Sequence, residues 1–200
     1  MSTALSMRPR KGRIDTITFT GGFLVPDTAP PDTDSLSVLC DHASIVKTCT
    51  LMARMADRQD WAASEEIFTE EVDLDYTSLN GGEPLQLPRQ SVIAGWSAVL
   101  GGLDATQHLV GNHLVTLNGD TAECTASVLA THILENEQGD PVWTVGGHYL
   151  YSLVRTAEGW RISGLKMTAD WTTGNREIMV LAIENQPQHV TEWKHENSPT

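Results

Sequence analysis

Three side chains of this 200-residue sequence have types suited to moving protons near neutral pH and sit inside or beside apolar segments: Asp57, His108 and His132. Imidazole titrates close to pH 7, and in apolar surroundings it stays neutral because burial disfavours its charged form, which leaves it a competent base. A carboxylate bonded to one of the rings would fix its tautomer and favour proton uptake, and Asp57 is the candidate for that role. Taken singly, each residue is better explained as a satisfied structural group, a helix-end aspartate and two strand histidines bonded to backbone. Joint action depends on the elements that carry them.

A helix is expected from Asp41, where Ile45, Cys49, Met52 and Ala56 recur at helical spacing and form a core-facing stripe with Asp57 at its edge. Asp60 is placed to cap a second short helix running through Phe68. Glu71 to Tyr76 alternates polar and apolar, a strand with Val72, Leu74 and Tyr76 on one face, closed by Asn80-Gly81-Gly82. Pro88 to Leu100 is a further helix, with Val92, Ile93, Trp96 and Leu100 as its apolar side and Gly101-Gly102 at its end. Two long hairpins follow, 107–117 with 121–135 through Asn118-Gly119-Asp120, and 142–155 with 160–171 through Ala157-Glu158-Gly159. Arg176 to Ile183 reads as a short helix. Helices first and a strand meander afterwards is an α+β pattern, and a twisted sheet curling over helices leaves a pocket between the layers. Residues 1–35, with prolines at 26, 30 and 31, read as an extension, 36–185 as a single domain and 186–200 as a polar tail.

The first hairpin decides whether the histidines cooperate, because a one-residue slip moves a side chain to the other face of the sheet. A two-residue turn pairing Leu117 with Asp120 sets His108 opposite Leu129 and separates it from His132. A three-residue loop pairs Leu117 with Thr121 and His108 with Ala130, so that His132 becomes a diagonal neighbour, roughly 7–8 Å away between Cβ atoms. On that register Val110, Asn112, Ala126, Val128 and Ala130 share the face.

Composition narrows the partners. With 13 Lys and Arg against 26 Asp and Glu, the net charge of −13 repels phosphate backbones, and no basic cluster follows residue 13, so neither nucleic acid nor an anionic membrane surface is expected. No apolar run approaches bilayer length, and the basic N-terminus lacks an apolar signal core behind it, so a cytoplasmic location is expected. Cys40, Cys49 and Cys124 are odd in number and match no zinc spacing, so they are read as free thiols and no metal site is assigned.

In order and spacing, Asp57-Arg58-Gln59-Asp60-Trp61, Asp75-Tyr76-Thr77-Ser78, Thr106-Gln107-His108, Thr131-His132 and Glu158-Gly159-Trp160-Arg161-Ile162-Ser163-Gly164-Leu165 followed by Trp171 resemble the scytalone dehydratase-like and SnoaL-like branch of the nuclear transport factor 2-like superfamily. The resemblance spans about Asp41 to Gly174. It implies a cone-shaped, curved mixed or antiparallel sheet wrapped over N-terminal helices with one pocket, no cofactor, and a homodimer or homotrimer assembled through the sheet. It also implies that His108 is the base, that His132 pairs with Asp57 and returns a proton, and that Tyr76 helps polarise a substrate carbonyl. Ala56 stands where the dehydratase has a second tyrosine, and His148 and Leu150 replace its small polar strand residues, so substrate identity does not transfer. His148, Tyr149 and Asn112 are further candidates for binding, with Trp171 over the pocket mouth. The implied activity is a lyase or isomerase on a small carbonyl-bearing polyketide, aromatic or terpenoid-like molecule of secondary metabolism. A binding protein of the same fold and a metal enzyme using two histidines and an aspartate are the alternatives.

Overall fold

The computed structural model describes residues 33–185; the N-terminal extension up to residue 32 and the tail from 186 lie outside the described residues. Helix α1 spans Thr33–Arg58, eight residues longer at its start than its apolar stripe suggests. Ile45, Cys49, Met52, Met55 and Ala56 are buried, whereas Leu36, Val38 and Leu39 are about half exposed or more, so the first two turns have no core-facing stripe to reveal them. The helix ends at Gln59, whose φ of 53° is left-handed. The amide of Asp60 bonds back to the Met55 carbonyl and that of Gln59 to Ala56, a Schellman closure that fixes the direction of the last turn and hence of Asp57.

A 3-10 turn, Trp61–Ala63, and α2, Ser64–Ile67, follow; Asp60 makes no side-chain cap there, contrary to the sequence expectation. Strand β1 is Phe68–Asp75, α3 is Thr77–Asn80, β2 is Leu85–Pro88 and α4 is Arg89–Leu100. Strand β2 escapes the sequence because it is four residues long and mostly exposed. Strands β3 (Ala105–Asn118), β4 (Thr121–Ile133), β5 (Val142–Thr156) and β6 (Gly159–Gly174) form the meander, and a helix over 178–185, α5, closes the described chain.

The six strands lie in one open, curved sheet in the order β2-β1-β6-β5-β4-β3, antiparallel except for the parallel β1–β6 pair. The fold is the expected α+β arrangement, with a mixed sheet that is not closed. Its inner face contributes Ala126, Val128, Ala130, Val145, Tyr149, Tyr151 and Leu165 to a core shared with α1, α4 and α5. Among the described residues, no helix is long and apolar enough to cross a membrane.

The β3–β4 register has the expected result through a different device. The turn is only Gly119-Asp120, with Asn118 opposite Thr121, and a straight ladder from there would set His108 against Thr131. Between Gly111 and Leu114 the ladder takes in one extra residue, after which Gly111 faces Ser127 and His108 faces Ala130. Asn112, at φ 56°, is in that bulge; asparagine tolerates the left-handed region better than most residues. The extra residue therefore lies within the strand and not in the loop.

Candidate active site

A cavity of about 930 Å³ opens between the inner face of the sheet and α1, α4 and α5. Most of its wall is apolar, including Met52, Trp96, Leu100, Val145 and Met167, and its chemistry is concentrated in His108, His132, Tyr76 and Tyr149. Asp57 stands behind His108 rather than on the cavity wall.

Asp57 accepts three hydrogen bonds from one residue. The His108 backbone N–H lies 3.0 and 2.9 Å from its two oxygens, and His108 Nδ1 is 2.6 Å from Oδ1. An ionised carboxylate only accepts, so Nδ1 carries the proton, and in the neutral ring Nε2 holds the lone pair. A carboxylate in the last turn of a helix is disfavoured by the helix dipole, which makes this bonding by His108 its compensation. The expected pairing of Asp57 with His132 is thus corrected: the aspartate orients His108. His132 is already satisfied, its Nδ1 lying 2.8 Å from the hydroxyl of Thr106, the residue directly opposite on β3.

The two imidazoles meet edge to face with centroids 5.6 Å apart, and the indole of Trp143 stacks on His132 at 5.3 Å with 22° between the planes. Only 4% of His132 is exposed. Burial, reinforced by neighbouring His108 and opposed by Asp57, pushes its pKa down to about 3, so this ring is neutral at pH 7. Tyr76 and Tyr149 both line the cavity, and burial raises both, Tyr149 to about 12 and Tyr76 well above its ordinary value. Both phenols therefore remain protonated donors.

The other candidates face elsewhere. His148 follows Gly147 onto the outer face of β5 and pairs there with Asp170 at 3.2 Å, both about half exposed. Asn112 is exposed in its bulge and reaches only Ser127, at 3.3 Å. Trp171 is 51% exposed and lies flat over Gly146 on the outer face; a Cβ at Gly146 would come within 2.2 Å of the indole ring. It is not a lid. The mouth is bordered instead by the segment after it. Arg176 donates from Nη2 to the Leu79 carbonyl (2.7 Å) and Asn80 Oδ1 (3.0 Å), and its guanidinium lies 5.9 Å from the Trp143 ring centroid. Behind it α5 turns Met179, Val180 and Ile183 toward the cavity and buries Ile178 and Ala182. Trp143 and Arg176 were not singled out from sequence, and Thr106 entered only as part of the Thr106-Gln107-His108 motif, with no role of its own. A further signal was the position of Thr106, two residues before His108 and so on the same face.

Elsewhere, Asp41 and Arg155 join α1 to β5, with bonds of 2.6 and 2.8 Å and a third to Asp41 from Trp160 Nε1 at 3.0 Å. Cys49 and Cys124 are buried free thiols, and Cys40 is exposed.

Residues 37–166 match the family model described as "SnoaL-like domain". The uncharacterized protein Rv2910c of Mycobacterium tuberculosis is 27% identical over 129 residues, 64% of this chain and 84% of that protein. The crystal structure of Kfla4162 from Kribbella flavida superposes with a TM-score of 0.69 at 31% identity, covering 72% of this chain and 99% of that one. Two more distant structures share the fold. A "Putative Scytalone Dehydratase" from Novosphingobium aromaticivorans has a TM-score of 0.61 at 18% identity, covering 70% of this chain and 91% of its own. A hexachlorocyclohexane dehydrochlorinase, LinA-type3, from Novosphingobium barchaimii has 0.58 at 14%, covering 70% and 94%.

Proposed function

Since the chain belongs to the SnoaL-like domain family of the nuclear transport factor 2-like superfamily, we propose that its cavity performs cofactor-independent acid–base chemistry, as a lyase or isomerase on a small carbonyl-bearing polyketide, aromatic or terpenoid-like molecule. The observation that carries this is the Asp57–His108 pair, held at 2.6 Å with the free Nε2 turned toward an apolar cavity. Two distant structural relatives bear the names of enzymes that eliminate HX, which is in keeping with the same choice.

In this mechanism His108 Nε2 removes a proton from the carbon beside the carbonyl, and Asp57 stabilises the imidazolium that forms. Electrons released from the C–H bond pass to the carbonyl oxygen as an enolate, with the phenolic donors of Tyr76 and Tyr149 on the cavity wall at hand to bond it. The enolate then collapses. It expels a β-hydroxyl, which takes the proton from His108 and leaves as water, or it is reprotonated at a distal carbon to move the double bond. With His132 neutral, proton return falls to His108, whereas the resemblance implied His132 for that role.

The test is incubation with a panel of β-hydroxy ketones and β,γ-unsaturated ketones, followed by enone absorbance and by loss of 18 mass units. Turnover that disappears in His108→Asn supports the proposal. Full activity in that variant, or recovery of every compound unchanged, would overturn it, the latter outcome favouring a binding protein.

A further inference from the structure

Each of the two cavity imidazoles spends Nδ1 on the protein and leaves Nε2 toward the ligand space. Among the described residues neither Nε2 has a protein partner, and neither is a sealed buried atom, in contrast to Nε2 of His113. What each Nε2 offers therefore depends on the group that holds Nδ1. For His108 that group is a carboxylate, which forces Nδ1–H and, in the neutral ring, leaves a lone pair on Nε2.

For His132 it is a hydroxyl, which can donate or accept, and the choice follows from where the hydroxyl proton goes. Among the described residues the Thr106 hydroxyl has no acceptor other than His132 Nδ1, at 2.8 Å. Donation from Thr106 pairs that proton and the Nδ1 lone pair together. The reverse tautomer leaves the hydroxyl proton without an acceptor in the protein, and it aims two Nε2 lone pairs into the same space from rings 5.6 Å apart. Trp143, stacked on the ring, holds His132 in this orientation and provides the apolar surface that a neutral imidazole prefers.

We propose that Thr106 is a positioning residue that locks His132 in its Nε2–H form, making His132 a neutral hydrogen-bond donor that faces the lone pair of His108. The pair is then complementary: one nitrogen accepts a proton from carbon while the other donates to an oxygen. The ligand class that fits both carries an acceptor oxygen, a carbonyl or the enolate formed from it, beside its acidic C–H. A neutral imidazole acting as electrophile is established chemistry where environment keeps the ring uncharged. The ligand assignment rests on the lyase or isomerase proposal; the tautomer does not.

The experiment is long-range ¹H–¹⁵N correlation of histidine side chains in uniformly ¹⁵N-labelled protein at pH 7, with His132 assigned by the signals lost in His132→Phe. The expected spectrum shows His132 as Nε2–H and His108 as Nδ1–H. Thr106→Val, which keeps the shape and removes the hydroxyl, should abolish the pure Nε2–H signature of His132, and Thr106→Ser should restore it. A His132 that is Nδ1–H or doubly protonated in the unmodified protein overturns the proposal, as does an unchanged signature in Thr106→Val. A purely structural Thr106 would alter stability without moving the tautomer. If the signature is as expected and no carbonyl compound is turned over, it is the lyase or isomerase proposal that fails.

Discussion

His132 makes the stability of this protein sensitive to mild acid. In the folded chain the ring takes up a proton only near pH 3, because burial disfavours its charged form, whereas in the unfolded chain it titrates at about 6.5. Between those values the unfolded state binds a proton that the folded state does not, so stability is complete above pH 6.5 and falls as pH drops toward 3. From pH 7 to pH 5 the loss from this residue alone is about 2 kcal/mol, from roughly 1.4 kcal/mol per pH unit. His132→Phe keeps an aromatic ring against Trp143 and removes the titration. Urea unfolding followed by tryptophan fluorescence at both pH values, for both proteins, gives the difference of differences, in which the shared histidines cancel. The natural chain should lose about 2 kcal/mol more than the variant. Equal losses would show that His132 is not buried as a neutral ring, and the account of its role as a donor would fall with it.

Three further outcomes are expected. Asp57→Asn replaces an acceptor bound three times by His108 with an amide that must turn one N–H toward a donor; it should cost about 2 kcal/mol in urea unfolding and lower turnover of any substrate found by roughly 10⁴. Gly102→Ala places a Cβ 1.7 Å from the Ala182 carbonyl oxygen, so α5 must shift; a thermal melt should show about 1–3 kcal/mol lost, and limited proteolysis earlier cutting between 176 and 185. Asp41 is held down to about 2, first by its bonds from Arg155 and then by that from Trp160. Its contribution is present above about pH 4 and lost as pH falls toward 2, so Arg155→Gln should be less stable than the natural chain at pH 7 by a margin that vanishes on acid titration.

The α+β layering, the helix carrying Asp57 and the long hairpins were legible because each has an apolar period that only one element type satisfies. Strand β2 and the first two turns of α1 were not, since exposed segments leave no such period. The meeting of His108 and His132 on one face was a matter of counting residues around a hairpin, and sequence gave two possible counts. The structure reaches the cooperative one through Asn112, a bulge with no mark in the sequence except a residue type tolerant of positive φ. Which histidine takes the carboxylate was beyond periodicity, because it turns on the last turn of α1 and on a threonine facing a histidine across two strands. Tyr149 and His148 are adjacent in sequence and face opposite ways, a distinction that only the register of β5 decides.

The cavity is bounded by pieces from both ends of the described chain, Met52 and Ala56 from the first helix and Met179, Val180 and Ile183 from the last. Contacts so distant in sequence form only after the intervening loop entropy has been overcome. A chain in which α1 and the sheet have come together already aligns its histidines, yet it lacks the wall that α5 supplies. A ligand that touches both ends binds that unfinished state weakly and the finished one well. By mass action it then draws the population toward the complete fold, adding about 2.7 kcal/mol of stability when present at 100 times its dissociation constant. Ligands for this cavity can therefore be recognised before any reaction is known, by the rise they cause in the melting temperature.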